Sequence, residues 1–376
     1  MAMQQFSYFD NAATTKMSEA CLETYVKTAE EYMANPSASY APARESRQVL
    51  EESRMTAARV LDVKPSQLFF TSGATESISI VLSSLLWAKV PGRVIFSSIE
   101  HEAVSSFSSV LREKGWDVVF IGARDGFVSI DELERLITRE TRLVAIMSVS
   151  NVLGTIQDIR GAVSLVRAKE AEYGRRIFFF TDSVQALGKT CIDLEGWDVD
   201  GASFSAHKIH GPRGCGLLYL KKGSIQSLAH AGGQEHGVRG GTENLPAIAA
   251  FAQALKDLKS DDERHIGMLN NLLRSLLEHS RVKVLTPGMN SVPHIIALST
   301  PLPSEVALRM LQDRGFIISS GSACSNNARG KAESVYRSAG FAQEAKGALR
   351  VSFSRNNTLQ ETEGLAQALK EMAENG

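Results

Sequence analysis

Short apolar runs recur through the first two thirds of this sequence, and helical patterns lie between most of them. The runs lie at 68–71, 93–98, 117–121, 143–149, 177–182, 201–205 and 215–220. The clearest helical patterns between them lie at 101–114, 130–139 and 160–173. Short runs that are apolar throughout are typical of strands covered on both faces. Their alternation with helices predicts a large α/β domain with a mostly parallel, seven-stranded sheet.

The last third of the chain follows a different pattern. After Pro287, candidate strands lie at 294–298, 316–319 and 348–354, with helical patterns at 304–314 and 359–372. This arrangement predicts a second, smaller α+β domain. The length of 376 residues agrees with two or three domains of roughly 150 residues each.

The composition limits the classes of partner. The formal net charge is −1, so we expect neither direct nucleic-acid binding nor attraction to an anionic membrane. The start, MAMQQFSYFD, lacks a basic and apolar leader pattern, and no apolar run is long enough to span a membrane. We therefore expect a cytoplasmic protein.

The cysteines are scattered, without the spacing of a disulfide framework or a metal site, so we expect neither. Cys21, Cys191 and Cys215 are expected to be buried small hydrophobes. Cys324 differs because it lies in the polar run SSGSACSNN. Such a run predicts an exposed loop, and exposure is what a reactive thiolate requires.

The stretch 203–216, SFSAHKIHGPRGCG, places one lysine directly after a β-type run. Lys208 stands beside His207 in a loop whose glycines and proline disfavour a helix. A lysine in such a turn is commonly a solvated surface residue. A lysine amine is also a covalent catalyst for amino acids when it forms a Schiff base with an aldehyde cofactor, and pyridoxal phosphate supplies that aldehyde.

Two further features match the needs of pyridoxal phosphate. Asp182 ends an apolar run, at the strand end where ligands bind in parallel sheets, and could pair with the pyridine nitrogen. The turn 71–76, TSGATE, opens a helical pattern whose free N–H groups could bind the phosphate. The alternatives are an N-cap or turn aspartate and an ordinary capped turn. With Lys208, the two features form a moderately specific set.

Two segments in the second half of the chain add to this set. The stretch 230–244, HAGGQEHGVRGGTEN, is rich in glycine and predicts a long, flexible and functional loop rather than a linker. Arg350 lies inside the apolar strand ALRVSFSR. Its guanidinium would bind a substrate carboxylate or, as the alternative, pair with a local Asp or Glu.

These motifs resemble those of the cysteine desulfurases, which are class-V members of the fold-type I pyridoxal-phosphate enzymes. The resemblance runs nearly end to end and rests on YFDNAATT, NPSASY, FFTSGATES, EHEAV, SNVLGTIQD, TDSVQALGK, SFSAHKIHGPRG, GGQEHGVRGGTEN, SSGSACS and LRVSFSR. The length after SSGSAC is similar to that of the subgroup with a long mobile cysteine loop. That subgroup serves iron–sulfur cluster assembly and tRNA thiolation.

The resemblance implies a fold-type I transferase with two domains. The large cofactor-binding domain would cover 16–256, and the small domain would combine 1–15 with 257–376 and carry the cysteine loop. Lys16, Tyr40 and Ala206 stand where the family usually has proline, histidine and glycine, and Val152 stands where it usually has an acid. None of these departures removes a catalytic group.

The resemblance also implies the roles of individual residues. Lys208 matches the Schiff-base lysine and Asp182 the partner of the pyridine nitrogen. Gln185 matches the residue that hydrogen-bonds the phenolic oxygen, and His101 the residue that stacks on the ring and moves protons. The implied phosphate contacts are Ala74, Thr75, Ser205, His207 and, from the other subunit of a homodimer, Thr242.

The implied reaction converts L-cysteine to L-alanine. Asn151 and Arg350 match the ligands of the substrate carboxylate, and Cys324 matches the nucleophile that takes the sulfur as a persulfide. The sulfur would then pass to an acceptor protein, such as an iron–sulfur scaffold or a tRNA-thiolation protein. A selenocysteine lyase or an aminotransferase of the same fold is the alternative enzyme, and a sulfur-relay scaffold with little free activity is the alternative of another class.

Overall fold

A computed structural model of the protein describes residues 6–223, 225–228, 232–320 and 331–374. The strands are β1 Ser7–Tyr8, β2 Leu68–Thr71, β3 Arg93–Ser97, β4 Asp117–Ile121, β5 Ala123–Arg124, β6 Phe127–Val128, β7 Thr141–Ala145, β8 Phe178–Asp182, β9 Gly201–Ser205, β10 Gly216–Leu220, β11 Lys283–Val284, β12 Ile295–Ser299, β13 Phe316–Ile317 and β14 Ala348–Ser352. The helices are α1 Glu19–Glu31, α2 Ala41–Leu61, α3 Ala74–Ser84, α4 Glu102–Ser105, α5 Phe107–Glu113, α6 Ile130–Leu136, α7 Ile159–Tyr173, α8 Leu194–Trp197, α9 Leu245–Lys256, α10 Ser260–Leu277, α11 Ser304–Asp313, α12 Lys331–Ser338 and α13 Leu359–Glu374.

The main sheet has seven strands in the order β2-β10-β9-β8-β7-β3-β4. Neighbours from β9 to β4 run parallel, whereas β10 is antiparallel to both β2 and β9. The prediction of a mostly parallel, seven-stranded sheet is therefore confirmed. Because β10 is reversed, β2 points the same way as β9, and the carboxyl ends of six strands meet at one edge.

Both faces of this sheet are covered, which explains why its strands are apolar throughout. Successive residues of β8, Phe179 and Phe180, enter two different cores and are both fully buried. The Phe179 core includes residues of α1, α2, α7 and α9, whereas the Phe180 core includes residues of α3 and α5. The alternation of side chains along each strand therefore places apolar groups against helices on both sides.

A separate core forms in the C-terminal part of the chain. The antiparallel sheet β11-β12-β14 packs with α10, α11 and α13, and β1 pairs in parallel with β13. Phe9 lies in this core and meets Phe353 edge-on at 5.7 Å between ring centres. This contact agrees with an N-terminal segment that belongs to the small domain, although the domain boundaries stay a prediction.

Three local predictions need correction. The helix predicted at 101–114 is two helices, α4 and α5, divided at Ser106. Cys191 is exposed rather than buried, whereas Cys21 and Cys215 are buried as predicted. The short elements β1, β11 and α12 were not predicted, because pieces of two to eight residues carry little periodicity. Among the described residues, no helix is long and apolar enough to cross a membrane.

Candidate active site

A cavity of about 700 Å³ opens at the carboxyl-end edge of the main sheet. Its walls come from the turns after β2, β3, β7, β8 and β9, together with the segment 12–14 and strand β14. Ten residues with predicted roles line it: Ala74, Thr75, His101, Asn151, Asp182, Gln185, Ser205, His207, Lys208 and Arg350. Cys324 lies outside the described residues, and Thr242 does not line this cavity.

Lys208 ends a single 3₁₀ turn, Ala206–Lys208, that follows β9. Its Nζ donates to the Ala12 carbonyl at 2.8 Å and to the Ala13 carbonyl at 2.6 Å. The small residues of the N-terminal segment let the backbone approach the amine closely. The turn is fixed on its other side, because Thr15 donates to the His207 carbonyl at 2.9 Å through both its N–H and its hydroxyl.

Asp182 is the last residue of β8 and is 7% exposed. Its Oδ1 accepts from the Val184 N–H at 3.0 Å and from the Ser203 hydroxyl at 3.4 Å. Burial raises the pKa of this carboxyl, while the charges of His101 and Lys208 act in the opposite direction. A protonated pyridine nitrogen bound beside Asp182 would keep the Asp182 carboxylate ionised.

His101 caps the start of α4 and faces the same cavity. Its Nδ1 accepts from the Ala103 N–H at 3.1 Å, which leaves Nε2 as the protonated nitrogen of the neutral ring. Burial is the main cause that lowers the pKa of His101. The neutral ring therefore offers its Nε2–H group to the cavity as a hydrogen-bond donor.

Glu100 is a buried acid that the sequence analysis missed. Its Oε1 accepts from the Ser97 hydroxyl at 2.5 Å and from the Met147 N–H at 2.6 Å. Oε2 has no hydrogen-bond partner in the described part of the chain. Burial and the charge of Asp182 raise the pKa of Glu100 to about 8, so the acid is largely neutral at pH 7. It links the ends of β3 and β7 directly beside His101.

The anion site at the start of α3 is tightly built. A Cβ atom at Gly216 would lie 2.5 Å from the Gly73 Cα, so only glycine fits under this turn. Glu76 accepts from the Ser72 N–H and, through Oε1, from the Arg239 Nε at 3.2 Å. Ala74 and Thr75, at the start of α3, line the cavity together with Glu76, and the free N–H groups of a helix start can bind an anion.

His207 lies beside this turn and stays neutral. Burial is the main cause that lowers the pKa of His207 to about 3, and the charges of Lys208, Arg213 and Lys189 add to it. Its Nδ1 lies 3.2 Å from the Thr14 hydroxyl. A neutral imidazole can still donate one hydrogen bond to an anion.

Arg350 lies in the centre of β14 with 1% of its surface exposed. Its Nη1 donates to the Asn151 carbonyl at 2.9 Å, and its Nη2 donates to Asp10 Oδ1 at 2.5 Å. Pairing with a local acid is therefore present, and the guanidinium also faces the cavity. Asp10 was not predicted, because residues 340 positions apart share no sequence pattern.

Gln185 lies in the turn after β8 and is fixed from two sides. Its Nε2 donates to the Ala12 carbonyl at 2.9 Å, and its Oε1 accepts from Lys189 Nζ at 2.9 Å. The sequence analysis did not single out Lys189, because a lysine that follows a short apolar segment is typical of the protein surface. Its side chain is buried instead.

The glycine-rich stretch is described from residue 232 onward, and Glu235 fixes this part of it, whereas its flexibility stays a prediction. Glu235 is 4% exposed and accepts from Arg54 at 2.7 and 2.9 Å and from the Phe70 N–H at 2.8 Å. These bonds anchor the stretch to α2 and β2. Farther along, Thr242 is exposed and lies 3.5 Å from Asn35 Nδ2. Its contribution to a second subunit stays a prediction.

Comparison with known proteins identifies the family. The model of the class-V aminotransferase family matches residues 7–365. Cysteine desulfurase IscS of Methanosarcina thermophila is 32% identical over 98% of this chain and 92% of its own. This chain belongs to the cysteine desulfurases. A NifS/IcsS protein homolog of Lactobacillus delbrueckii subsp. bulgaricus is 35% identical over 97% of this chain and 96% of its own.

Solved structures agree with this membership. A NifS-like protein superimposes with a TM-score of 0.90 at 34% identity and covers 99% of this chain and 100% of its own. A structure described as SspA in complex with cysteine gives 0.83 at 28% identity, covering 93% and 99%. The fold-type I architecture of this cysteine desulfurase is therefore established.

Cysteine desulfurases of this family depend on pyridoxal phosphate, and the cavity fits that cofactor. Its ring nitrogen needs a buried acid, its aldehyde an amine and its phosphate an anion site. Asp182, Lys208 and the start of α3 provide these groups within one cavity. A Cβ atom at Gly73 would meet nothing within 4 Å, so there is open space beside the backbone of this turn.

Proposed function

We propose that the protein converts L-cysteine to L-alanine and passes the sulfur through Cys324 to an acceptor. The observation that carries this proposal is the convergence of Lys208, Asp182, His101 and Arg350 on one cavity. The bound pyridoxal phosphate would supply an aldehyde for the substrate amine and an electron sink for its α-carbon. The residues of this chain would bind, orient and move protons.

The substrate carboxylate would be held by Arg350 and by the Asn151 side chain. Asp10 and the Asn151 carbonyl already fix the Arg350 guanidinium, so its direction is set before the substrate arrives. The Lys208 amine, which would hold the cofactor in the absence of substrate, would take the α-proton. His101 would donate a hydrogen bond from its Nε2–H group to the substrate, because its Nδ1 already accepts from the Ala103 N–H.

The sulfur step needs no external oxidant. The Cys324 thiolate would attack the substrate sulfur, so that an S–S bond forms as the Cβ–S bond breaks. The carbon keeps the electron pair of the broken bond and gains a proton, which gives L-alanine and a persulfide on Cys324. A second thiol, or an acceptor protein, would then remove the outer sulfur.

The remaining cofactor contacts extend the proposal. Ala74, Thr75, Ser205 and His207 would bind the phosphate, and Thr242 would reach the phosphate of a second subunit in a homodimer. The exposed position of Thr242, outside the cavity of its own chain, supports this arrangement. We also propose a large cofactor-binding domain and a small domain, and a cytoplasmic location. The sulfur acceptor would be a protein of iron–sulfur cluster assembly or of tRNA thiolation.

Product analysis tests the proposed reaction. The purified, cofactor-loaded protein is incubated with L-cysteine and a thiol reductant, and alanine and sulfide are measured together. We expect equal amounts of the two. A keto acid without sulfide would indicate an aminotransferase, and a much higher rate with L-selenocysteine would indicate a selenocysteine lyase. The Cys324→Ala variant should release no sulfide, and full sulfide turnover by it would contradict the role of Cys324.

A further inference from the structure

Lys189 is a buried cation for which the proposed reaction has no use. It is 7% exposed, and in the described part of the chain its one side-chain hydrogen bond goes to Gln185 Oε1 at 2.9 Å. A buried ammonium without a carboxylate partner is costly. Burial and the charges of Lys208 and Arg350 lower the pKa of Lys189 to about 7. Such a cost calls for an explanation at this position.

The hydrogen bond defines the orientation of the Gln185 amide. The Ala12 carbonyl can only accept, so the amide nitrogen must face it and the amide oxygen must face the Lys189 amine. The amide nitrogen then faces the Ala12 carbonyl at 2.9 Å and the main cavity, which Gln185 lines. Ala12 also accepts from Lys208, so its carbonyl is shared, whereas among the described residues Oε1 of Gln185 has Lys189 as its one donor.

We propose that Lys189 is a positioning residue, which holds the Gln185 amide so that its N–H group faces the phenolic oxygen of the cofactor. The inference rests on the proposed role of Gln185. With Lys189 removed, the amide oxygen loses its donor inside the protein, and the amide can rotate. The N–H donor would then be lost from the cavity side, where the phenolic oxygen carries negative charge and needs it.

A double-mutant cycle tests the inference through cofactor binding rather than activity. Lys189→Met removes the donor, Gln185→Ala removes the amide, and the third protein carries both changes. Each is stripped of cofactor and titrated with pyridoxal phosphate, and the dissociation constant and absorption maximum are recorded. Lys189→Arg retains a donor-only cation, and Lys114→Met, on an exposed lysine, is the matched control.

We expect Lys189→Met to weaken cofactor binding about tenfold and to shift the absorption band. Lys189→Arg should restore both, and Lys189→Met should add less than about twofold once Gln185 is alanine. Melting curves of the cofactor-free variants identify a general loss of fold. Unchanged binding in Lys189→Met, or an equal effect with Gln185 present or absent, would overturn the inference.

Two other outcomes test the assumptions of the inference, which are the role of Gln185 and the binding of pyridoxal phosphate. If Gln185→Ala alone leaves affinity and absorption unchanged, the assigned role of Gln185 is wrong, and the inference about Lys189 is overturned with it. If the unaltered protein takes up no pyridoxal phosphate, the proposed function itself fails. The titrations therefore distinguish a failure of the inference from a failure of the function.

Discussion

The Arg350 guanidinium is held by the Asp10 carboxylate, with 2.5 Å between Nη2 and Oδ1. The contact ties β14 of the C-terminal sheet to the N-terminal segment that also supplies the Ala12 and Ala13 carbonyls for Lys208. One stretch of chain therefore positions both the proposed carboxylate ligand and the proposed Schiff-base lysine.

Asp10→Asn should impair substrate binding more than turnover. Loss of the charged partner leaves the guanidinium less well fixed, and a hydrogen bond to a charged group contributes roughly 1.5 to 3 kcal/mol. We expect KM for L-cysteine to rise about tenfold or more, with kcat within about threefold of its original value. Steady-state kinetics of alanine formation measure the effects on KM and kcat separately. A large fall in kcat at unchanged KM would show that Asp10 acts elsewhere.

Gly216→Ala should disrupt cofactor binding. The added methyl group would lie 2.5 Å from the Gly73 Cα, and backbone on both sides limits relaxation. We expect the purified variant to lose its cofactor absorption on dialysis while the original protein keeps it. Gly267→Ala on α10 is the control, because a Cβ there meets nothing within 4 Å and a helical alanine is favoured by about 0.5 to 1 kcal/mol. Full cofactor retention by Gly216→Ala would refute the steric argument.

Glu235→Gln should be strongly destabilising. The change removes the buried one of the two carboxylates that pair with Arg54, the other being the half-exposed Glu51, and breaking a buried pair costs about 3 to 5 kcal/mol. Urea unfolding of the cofactor-free protein measures the difference. Lys283→Met is the control, because Lys283 is largely exposed and a surface pair such as that with Glu344 contributes about 0 to 1 kcal/mol. Equal losses in the two variants would show that the burial of Glu235 has no energetic consequence.

His207 should make folding stability depend on pH. In the folded protein the pKa of His207 is about 3, against an ordinary value of 6.5. Between these two pH values the His207 ring is therefore protonated only in the unfolded chain. Stability attributable to His207 is therefore complete above about pH 6.5 and is lost as pH falls toward 3. Between about pH 7 and pH 5 the cofactor-free protein should lose about 2 kcal/mol more than His207→Asn. Identical losses in urea titrations would contradict a neutral His207.

Much of the fold was predictable because local patterns determine it. The strands predicted at 68–71, 117–121 and 201–205 have the predicted ends. Continuous apolar runs also indicated a sheet covered on both faces. Nine of the ten predicted site residues that line the cavity end or follow strands of the main sheet, and its topology brings such positions to one edge, whereas Arg350 lies in the separate sheet that contains β14.

What could not be predicted depends on contacts between distant residues. Asp10 meets Arg350 and Arg54 meets Glu235 only because separate elements fold together. Lys189 looks like a surface lysine until the fold buries it against Gln185. The division of the helix at Ser106 also has no clear sequence signal, because FSSVLRE continues a helical pattern.

A single turnover without reductant tests the central claim most directly. The cofactor-loaded protein is mixed with L-cysteine and quenched, alanine is measured, and the peptide that contains Cys324 is weighed by mass spectrometry. We predict one alanine per active site and one additional sulfur atom on Cys324. Alanine formed without added sulfur on Cys324, or sulfur found on Cys191 instead, would contradict the account.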